Sequence, residues 1–147
     1  KAHLVLANTH GDYEQEIKKL LMNLPKESYS EISFEDDIAA LYCLFNIFIH
    51  VPVDPHAEAF GQTYIEALLS RIPSVFTLSG IARELIRNRE NAMVVEYKNS
   101  DQIFSALVEI LNNDLLREKI IDGGNKSIQG FSIDTHIHLL EDLYLKN

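Results

Sequence analysis

The sequence predicts an α/β fold, a parallel sheet covered by helices. Three observations carry this. Short runs rich in apolar and β-branched residues recur at residues 3–7, 46–51, 74–78 and 92–96. The segments between them repeat their apolar residues at helical spacing. Prolines and glycines punctuate the junctions, as at Pro25, Pro52, Pro55, Pro73 and Gly80. Parallel strands need helical crossovers, so strand–helix alternation and parallel pairing go together.

Each element has its own signal. His3-Leu4-Val5-Leu6-Ala7 reads as a strand buried on both faces. Tyr13, Ile17, Leu20, Leu21 and Leu24 form a helical stripe that Pro25 stops. The more polar run 29–34 reads as a strand near an edge, and 35–44 as a helix with Glu35, Asp36 and Asp37 in its first turn. After the strand at 46–51, a helix is expected over 61–71, with Tyr64, Ile65, Leu68 and Leu69 as its apolar contact. A strand follows at 74–78, then a short helix at 82–88 and a strand at 92–96. Ile103, Leu107, Ile110 and Leu111 stripe the next helix, and Asp114 is the expected N-cap of another. A last amphipathic helix starts at Ser132 and carries Ile133, Ile137, Leu140 and Tyr144. No repeat or linker interrupts the chain, which reads as a single domain over 1–147.

Composition narrows the function. At 147 residues, 46% hydrophobic and 24% charged, the chain is long enough for a substantial core. A formal net charge of −9 argues against nucleic-acid binding, which needs a basic stripe. No apolar run approaches the ~18 residues of a membrane span. Cys43, the single cysteine, lies in an apolar stretch and reads as a buried structural thiol. A cytoplasmic location is expected.

The segment Glu58-Ala59-Phe60-Gly61-Gln62-Thr63-Tyr64-Ile65-Glu66 concentrates the chemistry. Ligands of parallel α/β sheets bind beyond the carboxyl ends of the strands, and this segment follows the end of one. Carboxylates accept hydrogen bonds from sugar hydroxyls, often two at a time. Free N–H groups in a helix's first turn bind oxygen-rich or anionic groups. Gly61 lets a ligand approach the backbone closely. Together these suit a polyhydroxylated ligand.

The same residues resemble a known family. Residues 46–97 look like the donor-binding half of a retaining GT-B glycosyltransferase of glycosyltransferase family 4, which has a Rossmann-like sheet. The family pattern is a strand, E-x-F-G-x-x-x-x-E-A, a small-residue helix end, Pro, a strand, and a Gly turn followed by Glu. Glu58, Phe60, Gly61, Glu66, Ala67, Pro73, Gly80 and Glu84 stand at the matching spacings. Asn91-Ala92-Met93-Val94-Val95 resembles the E-N-G-L-L-V strand, and Phe131-Ser132 the F-S-W segment. At lower specificity the resemblance extends over the whole chain.

The resemblance implies roles. Glu58 would contact the transferred sugar near its reacting carbon, and Glu66 would accept both ribose hydroxyls. The backbone at Phe60, Gly61 and Gln62 would hold sugar hydroxyls, with Thr63 near the diphosphate. Gly80 is a weaker donor-binding candidate, because Ile81 and Ala82 follow it where the family has a second glycine. His56 would be a polar wall of the donor cleft. The donor would be a nucleoside-diphosphate sugar, with no other cofactor, and the acceptor a saccharide or lipid. The family's Arg and Lys, which neutralise the leaving diphosphate, lie in a strand–loop–helix before the position of Leu4. The acceptor-binding domain also precedes it. The expectation is therefore a fragment of a two-domain enzyme, inactive alone, with any peripheral membrane attachment made through the other domain. A degenerate stand-alone domain is the alternative.

Other titratable residues read more plainly. His50, Asp54, His56 and Glu58 are close in sequence, but two prolines break the segment and no pair has i, i+4 spacing, so no metal is expected. His136 and His138 point to different sides of a helix. Arg83, Arg87 and Arg89 could substitute for the absent cations, but their default reading is a solvated helix face. A competing function is a non-catalytic nucleotide-sugar-binding or interaction module of the same fold. A flavodoxin- or receiver-like domain fits less well, since no phosphate-binding loop follows the first strand.

Overall fold

The computed structural model describes residues 2–7 and 10–145. They fall into two compact units, Lys1–Leu41 and Tyr42–Asn147. The first holds β1 (Leu4–Ala7), α1 (Glu14–Leu21), β2 (Tyr29–Ile32) and all but the last residue of α2 (Ile38–Tyr42). The second holds β3 (Phe48–His50), α3 (Gln62–Leu69), β4 (Ser74–Phe76), α4 (Ala82–Leu85) and β5 (Met93–Val94). It continues with α5 (Ser100–Asn112), α6 (Asp114–Ser127) and α7 (Ile133–Leu145).

Among the described residues all strand pairing is parallel, as expected. Hydrogen bonding divides it into two sets, β1-β2 and β3-β4-β5, where a single sheet was expected. In the first unit β1 is not buried on both faces: Leu4 is 41% exposed. A two-stranded pair with two short helices has too few elements to cover a strand on both sides. For the same reason α1 buries only Leu21 of its apolar stripe.

In the second unit β4 is the middle strand, paired with β3 from Phe48↔Ser74 to His50↔Phe76 and with β5 from Val75↔Met93. Successive strand side chains point to opposite faces, and β4 anchors a core on each. Phe76 packs with Tyr64, Ile65 and Leu68 of α3 and Ala82 of α4. Val75 packs with Met93, with Ala106 and Ile110 of α5, and with Leu116 and Ile120 of α6. Each large side chain buried this way contributes roughly 1.5–3 kcal/mol. Leu69, an expected contact of α3, is instead exposed.

Side-chain capping explains several boundaries. Asn99 Oδ1 accepts from Gln102 N at 3.0 Å and starts α5. The N-cap of α6 is Asn113, not Asp114: Asn113 Oδ1 accepts from Leu116 N at 3.0 Å, and Asp114 is already helical. Ser132 Oγ accepts from Thr135 N ahead of α7. The short helix α4 stops at Leu85, earlier than expected, because Asn91 competes for its backbone. Asn91 Oδ1 accepts from Arg87 N at 2.7 Å and its Nδ2 donates to Leu85 O at 2.9 Å. Cys43 is exposed, contrary to the sequence reading. The inward positions at the end of α2 are taken by Leu41 and Tyr42, which leaves the next residue facing solvent. Among the described residues no helix is long and apolar enough to cross a membrane.

Candidate donor site

The site lies beyond the carboxyl ends of β3 and β4, where two loops are stitched together. In the β3–α3 loop, Glu58 N donates to Ser79 Oγ at 2.9 Å. Ile81 N, in the β4–α4 loop, donates back to Phe60 O at 2.8 Å. Between those bonds sits Gly80 at φ +53, where a Cβ would lie 2.4 Å from Phe60 O. Only glycine fits there, so the motif backbone and the Gly80 turn are held as one surface.

Gly61 starts α3 in the left-handed region, φ 89 and ψ 55, and no side chain caps it. A Cβ at Gly61 would come 2.8 Å from the Tyr64 ring. Tyr64 is fully buried and donates its hydroxyl to Thr77 O at 2.9 Å, tying α3 to the end of β4. Burial, then the negative charge of Glu58, pushes the Tyr64 hydroxyl up to about 12. Thr77 Oγ1 donates to Pro52 O at 2.7 Å, and the Tyr97 hydroxyl donates to Leu78 O. The first turn of α3 is thus fixed to the sheet with its N–H groups uncapped by side chains, an arrangement that suits anionic or oxygen-rich groups.

A groove of about 360 Å³ opens over this surface. Glu58, His56, Phe60 and Gly80 line it, so four of the sequence-selected residues share one concavity. Arg83 and Glu84 line it too. Of the three arginines read as a solvated face or as substitute cations, Arg83 lines this groove. By contrast Arg89 forms a two-pronged pair with Glu109, both bonds at 2.7 Å. Gly61, Gln62, Thr63 and Glu66 do not line the groove; they continue from it along α3.

Two pairings go beyond the sequence reading, which set His50 beside Glu58 only as a rejected metal group. The Tyr42 hydroxyl donates to Glu66 Oε2 at 3.3 Å, and burial followed by the Glu66 charge raises that hydroxyl well above the ordinary tyrosine range. His50, at the end of β3, brings Nε2 within 3.1 Å of Glu58 Oε1. That approach is an ion-pair distance without hydrogen-bond alignment, and Nε2 is buried with no other hydrogen-bond partner. Burial holds the His50 imidazole below its ordinary value, against the opposing pull of Glu58. Spacing gave no hint of Tyr42, which lies 24 positions before Glu66. Among the described residues no three His, Cys, Asp or Glu side chains converge as a metal site.

The chain is 28% identical over 114 residues to the capsular polysaccharide biosynthesis glycosyltransferase CapM of Staphylococcus aureus. That alignment covers 77% of this chain and 29% of the staphylococcal protein. Anabaena HepE, solved in complex with UDP, has the same fold: TM-score 0.86 at 19% identity, over 99% of this chain and 41% of that one. Its complex with UDP-glucose gives 0.84. The C-terminal domain of the LpcC glycosyl transferase from Francisella tularensis gives 0.70 at 26% identity, covering 83% of this chain and 64% of that one. The architecture is that of the GT-B glycosyltransferases. The sequence profile described as Glycosyl transferases group 1 matches residues 1–127, and the chain belongs to that family.

Proposed function

We propose that this chain forms the donor half of a retaining glycosyltransferase, binding a nucleoside-diphosphate sugar for transfer to a saccharide or lipid acceptor. The observation that carries the reading is the shared groove. Glu58 faces it from a loop locked to Gly80 and Ser79, with the uncapped start of α3 alongside. HepE, a neighbour in fold, was solved with UDP and with UDP-glucose.

In this reading Glu58 accepts hydrogen bonds from the sugar hydroxyls near the reacting carbon. The N–H groups of Phe60, Gly61 and Gln62 hold the sugar, and Thr63 stands by the diphosphate. Glu66 takes the two ribose hydroxyls. Gly80, by making room for Phe60 O, holds the backbone that borders the sugar, and His56 walls the groove. The bond from the anomeric carbon to the diphosphate breaks, and the acceptor oxygen bonds to the same face of that carbon. The acceptor proton passes to the leaving phosphate oxygen. Stabilising that leaving group requires fixed positive charge. Arg83 supplies one cation at this groove, and the remainder would come from a further segment of the enzyme. The reaction would take place in the cytoplasm.

The test separates sugar from nucleoside. In the complete protein, Glu58→Gln should lower turnover at least tenfold while UDP affinity stays within about twofold, the pattern of a group acting mainly in the transition state. Equal losses in turnover and UDP affinity would refute the assignment.

A further inference from the structure

We propose that His50 is a positioning residue for Glu58: its buried Nε2–H donates to the Glu58 carboxylate and fixes the direction in which that carboxylate meets the donor. The inference rests on reading Glu58 as the sugar-contacting carboxylate. Three observations bear on it. Nε2 is closed off from solvent and has no aligned partner, so a hydrogen there has nowhere to go except the carboxylate oxygen 3.1 Å away. An unpaired polar atom in such a place is costly, and native structures rarely leave one without purpose. Second, the ring itself cannot wander. It lies edge-on to Tyr64 with centroids 4.8 Å apart, and stacks along β3 with Phe48 at 6.4 Å. Third, the Glu58 backbone is pinned by Ser79, so only the carboxylate remains to be oriented, and His50 is the group within reach.

The imperfect alignment has a direct consequence. Catalytic hydrogen bonds are often long or off-axis before substrate binds and tighten in the complex. A small rotation of the Glu58 carboxylate toward a sugar hydroxyl would bring its other lone pairs to bear on Nε2–H. The titratable groups facing the ring are Glu58 from the β3–α3 loop and Tyr64 from α3, with Tyr97 acting on Tyr64. Burial favours the neutral imidazole, and in that form Nε2 must carry the proton to serve the carboxylate.

Two measurements test this. Nitrogen-15 NMR of the chain should show His50 as the Nε2–H tautomer at neutral pH. Its titration midpoint should move to lower pH in Glu58→Gln, because the charge that favours imidazolium is removed. An Nδ1–H tautomer, or a midpoint unmoved by Glu58→Gln, overturns the proposal whether or not the protein transfers sugar. The second compares variants of the complete protein with UDP-glucose as donor probe. His50→Phe keeps the ring packing and loses the donor, so kcat should fall about tenfold or more with UDP affinity unchanged. His50→Gln, which restores an N–H near the same place, should recover most of that loss. Equal losses in both variants would make His50 a packing residue only.

Discussion

Phe60 and Ile81 join the two loops of the site: Ile81 N donates to Phe60 O across 2.8 Å, and the residue before Ile81 is glycine because Phe60 O fills the space a Cβ would need. This bond converts a pair of separate turns into one wall of the groove. The E-x-F-G segment and the Gly80 turn are therefore a single structural feature, although 20 positions separate Phe60 from Gly80.

Gly80→Ala should accordingly be costly. The added methyl meets Phe60 O at 2.4 Å, and φ +53 is unfavourable for any L side chain. A loss of about 1–3 kcal/mol is expected, read by denaturant unfolding. Unfolding at the wild-type midpoint would show that the two loops are not tightly joined.

Glu66 and Tyr42 form a graded pair. Glu66→Gln should weaken UDP binding about tenfold, since hydrogen bonds to a charged group contribute roughly 1.5–3 kcal/mol. Tyr42→Phe removes only the hydroxyl that orients Glu66, and a two- to fivefold loss is expected from its roughly 0.5–1 kcal/mol. Calorimetry decides between them. A larger loss in Tyr42→Phe than in Glu66→Gln would reverse the assigned roles.

The end of α3 offers a stability test away from the site. Arg71 takes φ 57, in the left-handed region that usually ends a helix on glycine. Relief of that strain should outweigh the greater chain entropy of glycine and the loss of the exposed Arg71–Asp122 pair, which contributes little. Arg71→Gly should raise stability by about 0.5–1 kcal/mol, seen as a thermal midpoint a few degrees higher. A lower midpoint would mean that the pair with Asp122 matters more than the backbone.

Much of this was legible in the sequence, and the failures share a cause. The strand–helix order and the parallel pairing follow from local periodicity and turn residues, which act over short spans, whereas Gly80 was tied to Glu58 only through the family resemblance. The early stop of α4 depends on Asn91, which lies beyond the helix and takes its backbone groups. The exposure of Cys43 depends on which of three adjacent residues turns inward. Tyr42 left no trace in the sequence because Glu66 reaches it through the fold, and His50, weighed beside Glu58 only as a metal ligand, left no trace of its pairing with that carboxylate. The division of the strands into two hydrogen-bonded sets has no local signature at all.

His50 also sets a pH dependence. Its folded value lies below its ordinary value of about 6.5, so the unfolded chain binds the proton more readily. Stability linked to this group is fully present above the ordinary histidine value and is lost as pH falls through it toward the folded value. The wild-type protein should therefore lose more stability than His50→Gln between about pH 7 and pH 5. Parallel stability curves for the two proteins would show that the imidazole is not held neutral by burial.

Nucleotide-sugar binding itself is tested most directly by mapping UDP onto the nitrogen-15-labelled chain. Even weak binding moves amide resonances, so the readout does not depend on transfer. The expected result is saturable shifts centred on Phe60, Gly61, Gln62, Thr63 and Glu66, with a midpoint about tenfold higher in UDP for Glu66→Gln. Shifts confined to other surfaces, or none at saturating UDP, would contradict the donor-site reading.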